Sequence, residues 1–145
     1  MFPTPPRAVL EAADYLEACD ISHADCGKKL SKQTWAIWPK IVDFDRAPRD
    51  DGRLVEAHPE VSFRFMTGRV LPSKHSAAGL AERTAALAEF FDVHRALTAV
   101  PKGAALDDAL DALGCAWTAQ RQLEGNAGVL GGDLDELGIP MRIVY

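Results

Sequence analysis

Two stretches of this sequence carry side chains whose types and spacing could do chemistry. The first is RLVEAHPEV, residues 53–61. Read as a β-strand, it sends alternate side chains to opposite faces, so Glu56, His58 and Glu60 share one face and Val55, Ala57 and Val61 the other. Two carboxylates around an imidazole can hold a divalent metal or move a proton. The same pattern also describes the wet face of a half-exposed strand, and both readings stay open. Pro59 cannot donate to a ladder, so such a strand must end there or lie on an edge.

The second stretch is LDDALDALGCAWTA, residues 106–119. On a helix turning about 100° per residue, Leu106, Leu110, Leu113 and Trp117 fall into one bulky apolar stripe. Asp107, Asp108 and Asp111 lie well round the helix, on the side continued by Ala112, Cys115, Thr118 and Ala119. Small residues there let the helix lie close to a sheet and hold its acids at the rim of the core, an arrangement that suits a metal site. The competing account is that first-turn acids cap the helix and complement its dipole. Asp107 is expected to cap; Asp111 lies a turn further in, beyond most of that effect.

The other reactive residue types read as structure. Cys19, His23 and Cys26 could be imagined around zinc, but no fourth ligand is near and the spacing matches no common site. His75 and His94 have no partner at a useful spacing, and Trp35, Trp38 and Trp117 fall in apolar stripes. Lys74, in PSKHSAAGLAER (72–83), could meet a phosphate beside a helix start or simply face solvent.

The elements that must position these groups follow from local signals. Asp14 with Glu17 reads as a capping box opening a helix that Gly27 closes. Ser31 caps a second helix through Trp35, Trp38, Ile41 and Val42, kinked or shortened by Pro39. Residues 46–52 are a polar turn, and 62–75 are less regular. A helix is expected over 76–91, a loop over 100–104, a long helix over 106–123, a glycine-marked loop at 125–132 and a short strand at 141–145. So few strands leave backbone groups without partners, so the chain is expected to borrow sheet from elsewhere or to be mostly helical.

The bulk properties bound the function. The 145 residues allow one domain with a real core, and 48% hydrophobic with 26% charged content is that of a globular protein. No apolar run approaches the ~20 residues that cross a bilayer, and the start has no secretory pattern, so no membrane association and a cytoplasmic location are expected. Three cysteines without a CxxC pair fit a reducing compartment. With 21 acidic against 16 basic side chains, net −5, a general nucleic-acid coat is disfavoured. Local basic groups remain at Lys28, Lys29 and Lys32, and at Arg64, Arg69 and Lys74.

In this order, FPTPPRAVLEA (2–12), LSKQTWAIWPKI (30–41), VEAHPEVSF (55–63), PSKHSAAGLAER and LDDALDALGCAWTA resemble the predicted RNase H-like nucleases, a family catalogued as domain of unknown function number 429. The resemblance spans nearly the whole chain, and VEAHPEVSF and DDALDA are its more specific segments. Residues 108–113 also resemble the last acidic helix of Holliday-junction resolvases. The resemblance implies a helix-rich α/β fold, the C-terminal part of an RNase H-like domain over 1–145. It implies phosphodiester hydrolysis of nucleic acid at a two-ion Mg²⁺ or Mn²⁺ centre, with Glu56, Asp108 and Asp111 as ligands and His58 and Glu60 beside them. Family members carry, upstream, a GlyValAspGly-like strand and hairpin and a further aspartate-bearing strand. Neither occurs here, so the N-terminal strands and at least one metal-binding acid are expected to be missing and the chain alone incomplete or inactive. The alternative is a non-catalytic interaction module that pairs its exposed strand with itself, as a homo-oligomer, or with a partner chain supplying sheet.

Overall fold

The computed structural model describes residues 5–46 and 54–145, which fall into two compact units, Met1–Gly52 and Arg53–Tyr145. In the first, Pro6 is extended and leads into a 3₁₀ turn, Arg7–Glu11. Helix α1, Tyr15–Cys26, begins where the Asp14 carboxylate accepts the Leu16 and Glu17 N–H groups and ends at Gly27, whose φ of 72° is the left-handed conformation glycine adopts without strain. Ser31 caps α2, Lys32–Ala36, and Pro39 lies in the first turn of α3, Trp38–Asp45. A proline is tolerated there because the missing N–H would be unpaired anyway, so the expected single helix breaks at Ile37. Val9, Ala18, Cys19, Leu30 and Trp38 form the core of this unit, and Trp35 stacks on Trp38 with centroids 5.8 Å apart. Arg7 pairs with Asp45. The polar turn expected at 46–52 lies, beyond Arg46, outside the described residues.

The second unit contains α4 (Pro59–Thr67), α5 (Ala77–Ala88), α6 (Val93–Thr98), α7 (Leu106–Leu123), β1 (Val129–Leu134) and β2 (Pro140–Val144). Among the described residues the chain is therefore helix-rich, with one two-stranded antiparallel sheet. The strand expected over 53–61 is corrected. Residues 54–56 are irregular, Ala57 makes a single parallel bridge to Val144, and a helix starts at Pro59. His58 is its N-cap, with Nδ1 accepting the Glu60 N–H at 3.2 Å. The same His-Pro pair that limits a strand is thus a helix start. Glu56, His58 and Glu60 consequently do not line one strand face.

Phe63, Leu71, Leu87, Val93 and Leu110 form the core of this unit, with Leu80, Phe91, Leu97 and Leu113 packed against it. Helix α7 has the bounds expected from sequence, and its small residues bring it against a helix rather than a sheet. Gly114 faces the Phe63 ring so closely that an added Cβ would sit 3.3 Å from Cε2. One turn on, the buried hydroxyls of Thr118 and Ser62 are hydrogen-bonded at 2.7 Å. Ala112 and Ala119, on the acid-bearing side, are exposed.

The glycine-marked loop is also corrected, because its second half is β1. Val129, Leu130 and Gly131 pair with Val144, Ile143 and Arg142, and a bulge between Gly131 and Asp133 carries the ladder to Leu134 and Pro140. Gly131 has φ 82°, and a Cβ there would come within 2.6 Å of the Met141 carbonyl oxygen, so only glycine fits. Phe65 stacks on Tyr145. No helix among the described residues is long and apolar enough to cross a membrane.

Candidate functional site

The acids of α7 are separated by local geometry into two roles. Because Ala105 is the N-cap, Asp108 stands at the third helical position, and its Oδ2 accepts the Ala105 N–H at 3.1 Å. Alanine has no side-chain acceptor, so only this half of a capping box exists. Capping, expected of Asp107, therefore falls to Asp108, which is exposed.

Asp107 and Asp111, four residues apart, share a face. Lys74 reaches between them from the loop before α5. Its ammonium lies 2.7 Å from Asp111 Oδ2 and 3.3 Å from Asp107 Oδ2. His75 Nδ1 stands 3.9 Å from the same Asp107 oxygen. All three members of the lysine–aspartate group are sheltered, with 22% of each aspartate side chain and 29% of the lysine exposed. The hydrogen bond to Asp111, reinforced by both negative charges and opposed by burial, raises the Lys74 pKa above its ordinary value. The hydrogen bond from Lys74 holds the Asp107 carboxyl below the ordinary carboxylate range. Cys115, one turn beyond Asp111, has its thiol pushed up by burial and then by the Asp111 charge. Oδ1 of Asp111 is buried and accepts no hydrogen bond among the described residues.

The first acidic cluster disperses. Glu60 pairs with Arg83, whose Nη2 donates to both carboxylate oxygens at 2.7 Å. His58 turns its ring nitrogen to its own helix start. Glu56 is exposed, and its backbone carbonyl accepts the Val144 N–H at 2.8 Å. Of the residues singled out in sequence, the structure brings Asp111 to Asp107 and Lys74, and joins to them neither Glu56 nor Asp108. Arg83 carried no sequence signal at all. Lys74 carried only its place beside a helix start, since its partner Asp111 lies 37 residues away.

The donor chemistry of Asp107 and Asp111 suits a hard cation, which takes oxygen ligands, and Mg²⁺ commonly keeps most of its water and uses one or two carboxylates. A two-ion centre needs more. Among the described residues, no three His, Cys, Asp or Glu side chains converge as metal ligands would. An ammonium group already stands between the two carboxylates. The described residues thus do not form a two-ion centre by themselves, and their arrangement is one acidic pair balanced by a lysine.

No curated protein and no solved structure matches the chain. A family model described as "Protein of unknown function (DUF429)" matches residues 1–136, and the chain belongs to that family.

Proposed function

We propose that this chain supplies one acidic part of a metal-dependent, RNase H-like phosphodiester hydrolase acting on nucleic acid. The observation that carries the reading is the sheltered pair of Asp107 and Asp111 gathered around one cation, the ammonium of Lys74. On this reading Asp107 and Asp111 hold the cation side of the site. Lys74 balances them and is placed to meet a phosphate oxygen when a divalent ion shares the aspartates. Mg²⁺ or Mn²⁺, when bound, would supply positive charge to a phosphodiester. Among the described residues Glu56, Asp108, His58 and Glu60 do not gather with this pair, and on this reading the remaining ligands come from elsewhere. A partial ligand set predicts weak metal affinity and slow turnover.

The test is Mg²⁺- or Mn²⁺-dependent cleavage of branched and single-stranded nucleic acids, with Asp111→Asn as the control. The reading expects slow, metal-dependent cleavage that the substitution abolishes. Equal inactivity of wild type and variant overturns it for this chain.

A second reading, a non-catalytic module that pairs its sheet edge with another copy or another chain, rests on a separate observation. Every residue of β1 is exposed, including Val129, Leu130 and Leu134, and among the described residues β1 pairs only with β2. An open edge bearing apolar side chains is a template for strand addition. A monomeric mass across the micromolar range, without partner chains, would count against self-pairing.

A further inference from the structure

We propose that Glu60 and Arg83 are positioning residues that act through the loop 72–76 to hold Lys74 over Asp107 and Asp111. The inference deepens the proposed function, since it concerns the same lysine–aspartate group, and gives Glu60, expected beside the metal ligands, a place in the scaffold.

Arg83 is buried, and while its Nε has no hydrogen-bond partner among the described residues, both terminal nitrogens are matched, as a buried guanidinium requires. Nη2 is taken by both oxygens of Glu60 on α4. Nη1 donates to the carbonyl oxygen of Pro72 at 2.9 Å and to that of Gly79 at 3.0 Å. One side chain therefore ties α4, α5 and the loop together two residues before Lys74. The guanidinium also stands over the Phe63 ring, 5.3 Å from its centroid, so the core fixes its plane.

The next carbonyl, that of Ser73, is pinned by different groups. The Ser73 carbonyl oxygen accepts from the Ser76 N–H at 2.9 Å and from the Ser76 hydroxyl at 2.7 Å. Gly79 lies directly beneath, where an added Cβ would fall on the Ser73 carbonyl group and within 2.8 Å of the Pro72 oxygen. The backbone just before Lys74 is thus held by Arg83 at Pro72 and by Ser76 and Gly79 at Ser73, and the Ser73–Ser76 turn carries Lys74. A flexible lysine stem keeps a defined place only when its backbone is fixed. Glu60 is the counter-charge that keeps Arg83 at its post.

The test is limited acetylation with acetic anhydride, read by mass spectrometry as the rate at Lys74 relative to Lys28, Lys29, Lys32 and Lys102 in the same sample. In the wild type Lys74 reacts more slowly than these lysines. Glu60→Ala and Arg83→Lys raise the relative Lys74 rate several-fold, while the ratios among the other lysines stay constant. An ammonium at position 83 cannot bridge Glu60 and Pro72 as a guanidinium does. Glu60→Gln keeps the shape and one acceptor, and gives a smaller rise; it decides the matter if Glu60→Ala unfolds. A Lys74 rate unchanged in folded Glu60→Gln and Arg83→Lys overturns the proposal. This readout needs neither metal nor nucleic acid, so its failure is distinguishable from failure of the proposed function.

Discussion

The ammonium of Lys74 stands 2.7 Å from Oδ2 of Asp111, closing a basic loop residue over the first turns of an acidic helix. Asp107 flanks the same ammonium at 3.3 Å. The pairing explains how two like charges four residues apart on one helix are tolerated, since such a pair is otherwise destabilising. Because the three groups are partly sheltered, salt screens them less than it would an open surface pair.

The depression of the Asp107 pKa has Lys74 as its main cause. Lys74→Met keeps the length of the stem and removes the charge. In that variant the Asp107 carboxyl should titrate higher, back towards the ordinary carboxylate range. Carbon-detected NMR titration of the aspartate carboxyls checks this, and an unmoved Asp107 would mean that the lysine is not its partner in solution.

The two shifts set a pH window for stability, with opposite signs. A carboxyl whose pKa is lowered in the folded state adds stability above its unfolded value and loses it as pH falls through the depressed value. A lysine whose pKa is raised adds stability below its ordinary value and loses it as pH rises through the raised one. Thermal melts of wild type and Asp107→Asn should therefore differ at neutral pH and converge at the acid end. A gap that stays constant down to the acid end would contradict the ion pair.

Two glycines should respond very differently to the same substitution. Gly79→Ala drives a Cβ into the Ser73 backbone, which has no room to yield, and should cost about 3 kcal/mol. Gly114→Ala asks the Phe63 ring to shift by a few tenths of an ångström, while alanine gains roughly 1 kcal/mol of helix propensity. The second variant should remain within about 1 kcal/mol of wild type. Urea unfolding midpoints separate the two, and equal losses would mean that the loop at 72–76 is not clamped.

The hydroxyls of Ser62 and Thr118 are buried together between α4 and α7. Thr118→Val preserves shape but leaves Ser62 only its 3.3 Å contact to the His58 carbonyl, and should cost about 1–2 kcal/mol. Replacing both, Ser62→Ala with Thr118→Val, should cost less than the sum of the single changes, because neither polar group is then stranded. Strict additivity in urea unfolding would show that the pair is not coupled.

Local signals in the sequence were legible wherever one residue's own chemistry sets the backbone. Asp14 and Ser31 cap the helices they should, Gly27 closes α1, a helix runs within the expected 76–91, and α7 has the expected bounds. The alternation in VEAHPEV misled because its period of two ends at Pro59, where the ring that ends a strand also opens a helix. The glycines at 131 and 132 hid β1, since a bulged strand and a loop look alike until the partner is known. The lysine–aspartate group was half legible. Asp111 is in it, but which neighbour joins it depends on the N-cap falling at Ala105, a shift of one residue that exchanges the roles of Asp107 and Asp108. Lys74 and Arg83 could not be assigned, because their partners are 37 and 23 residues away and no local pattern encodes such pairings.

If Asp107 and Asp111 hold a divalent cation between them, manganese titration of the ¹⁵N-labelled chain will show where it sits. Paramagnetic broadening should begin at the amides of residues 107–111 and of Lys74, and should fade in Asp107→Asn and Asp111→Asn. Broadening that is absent from these residues, or that persists unchanged in both variants, would mean that the two aspartates hold no such ion.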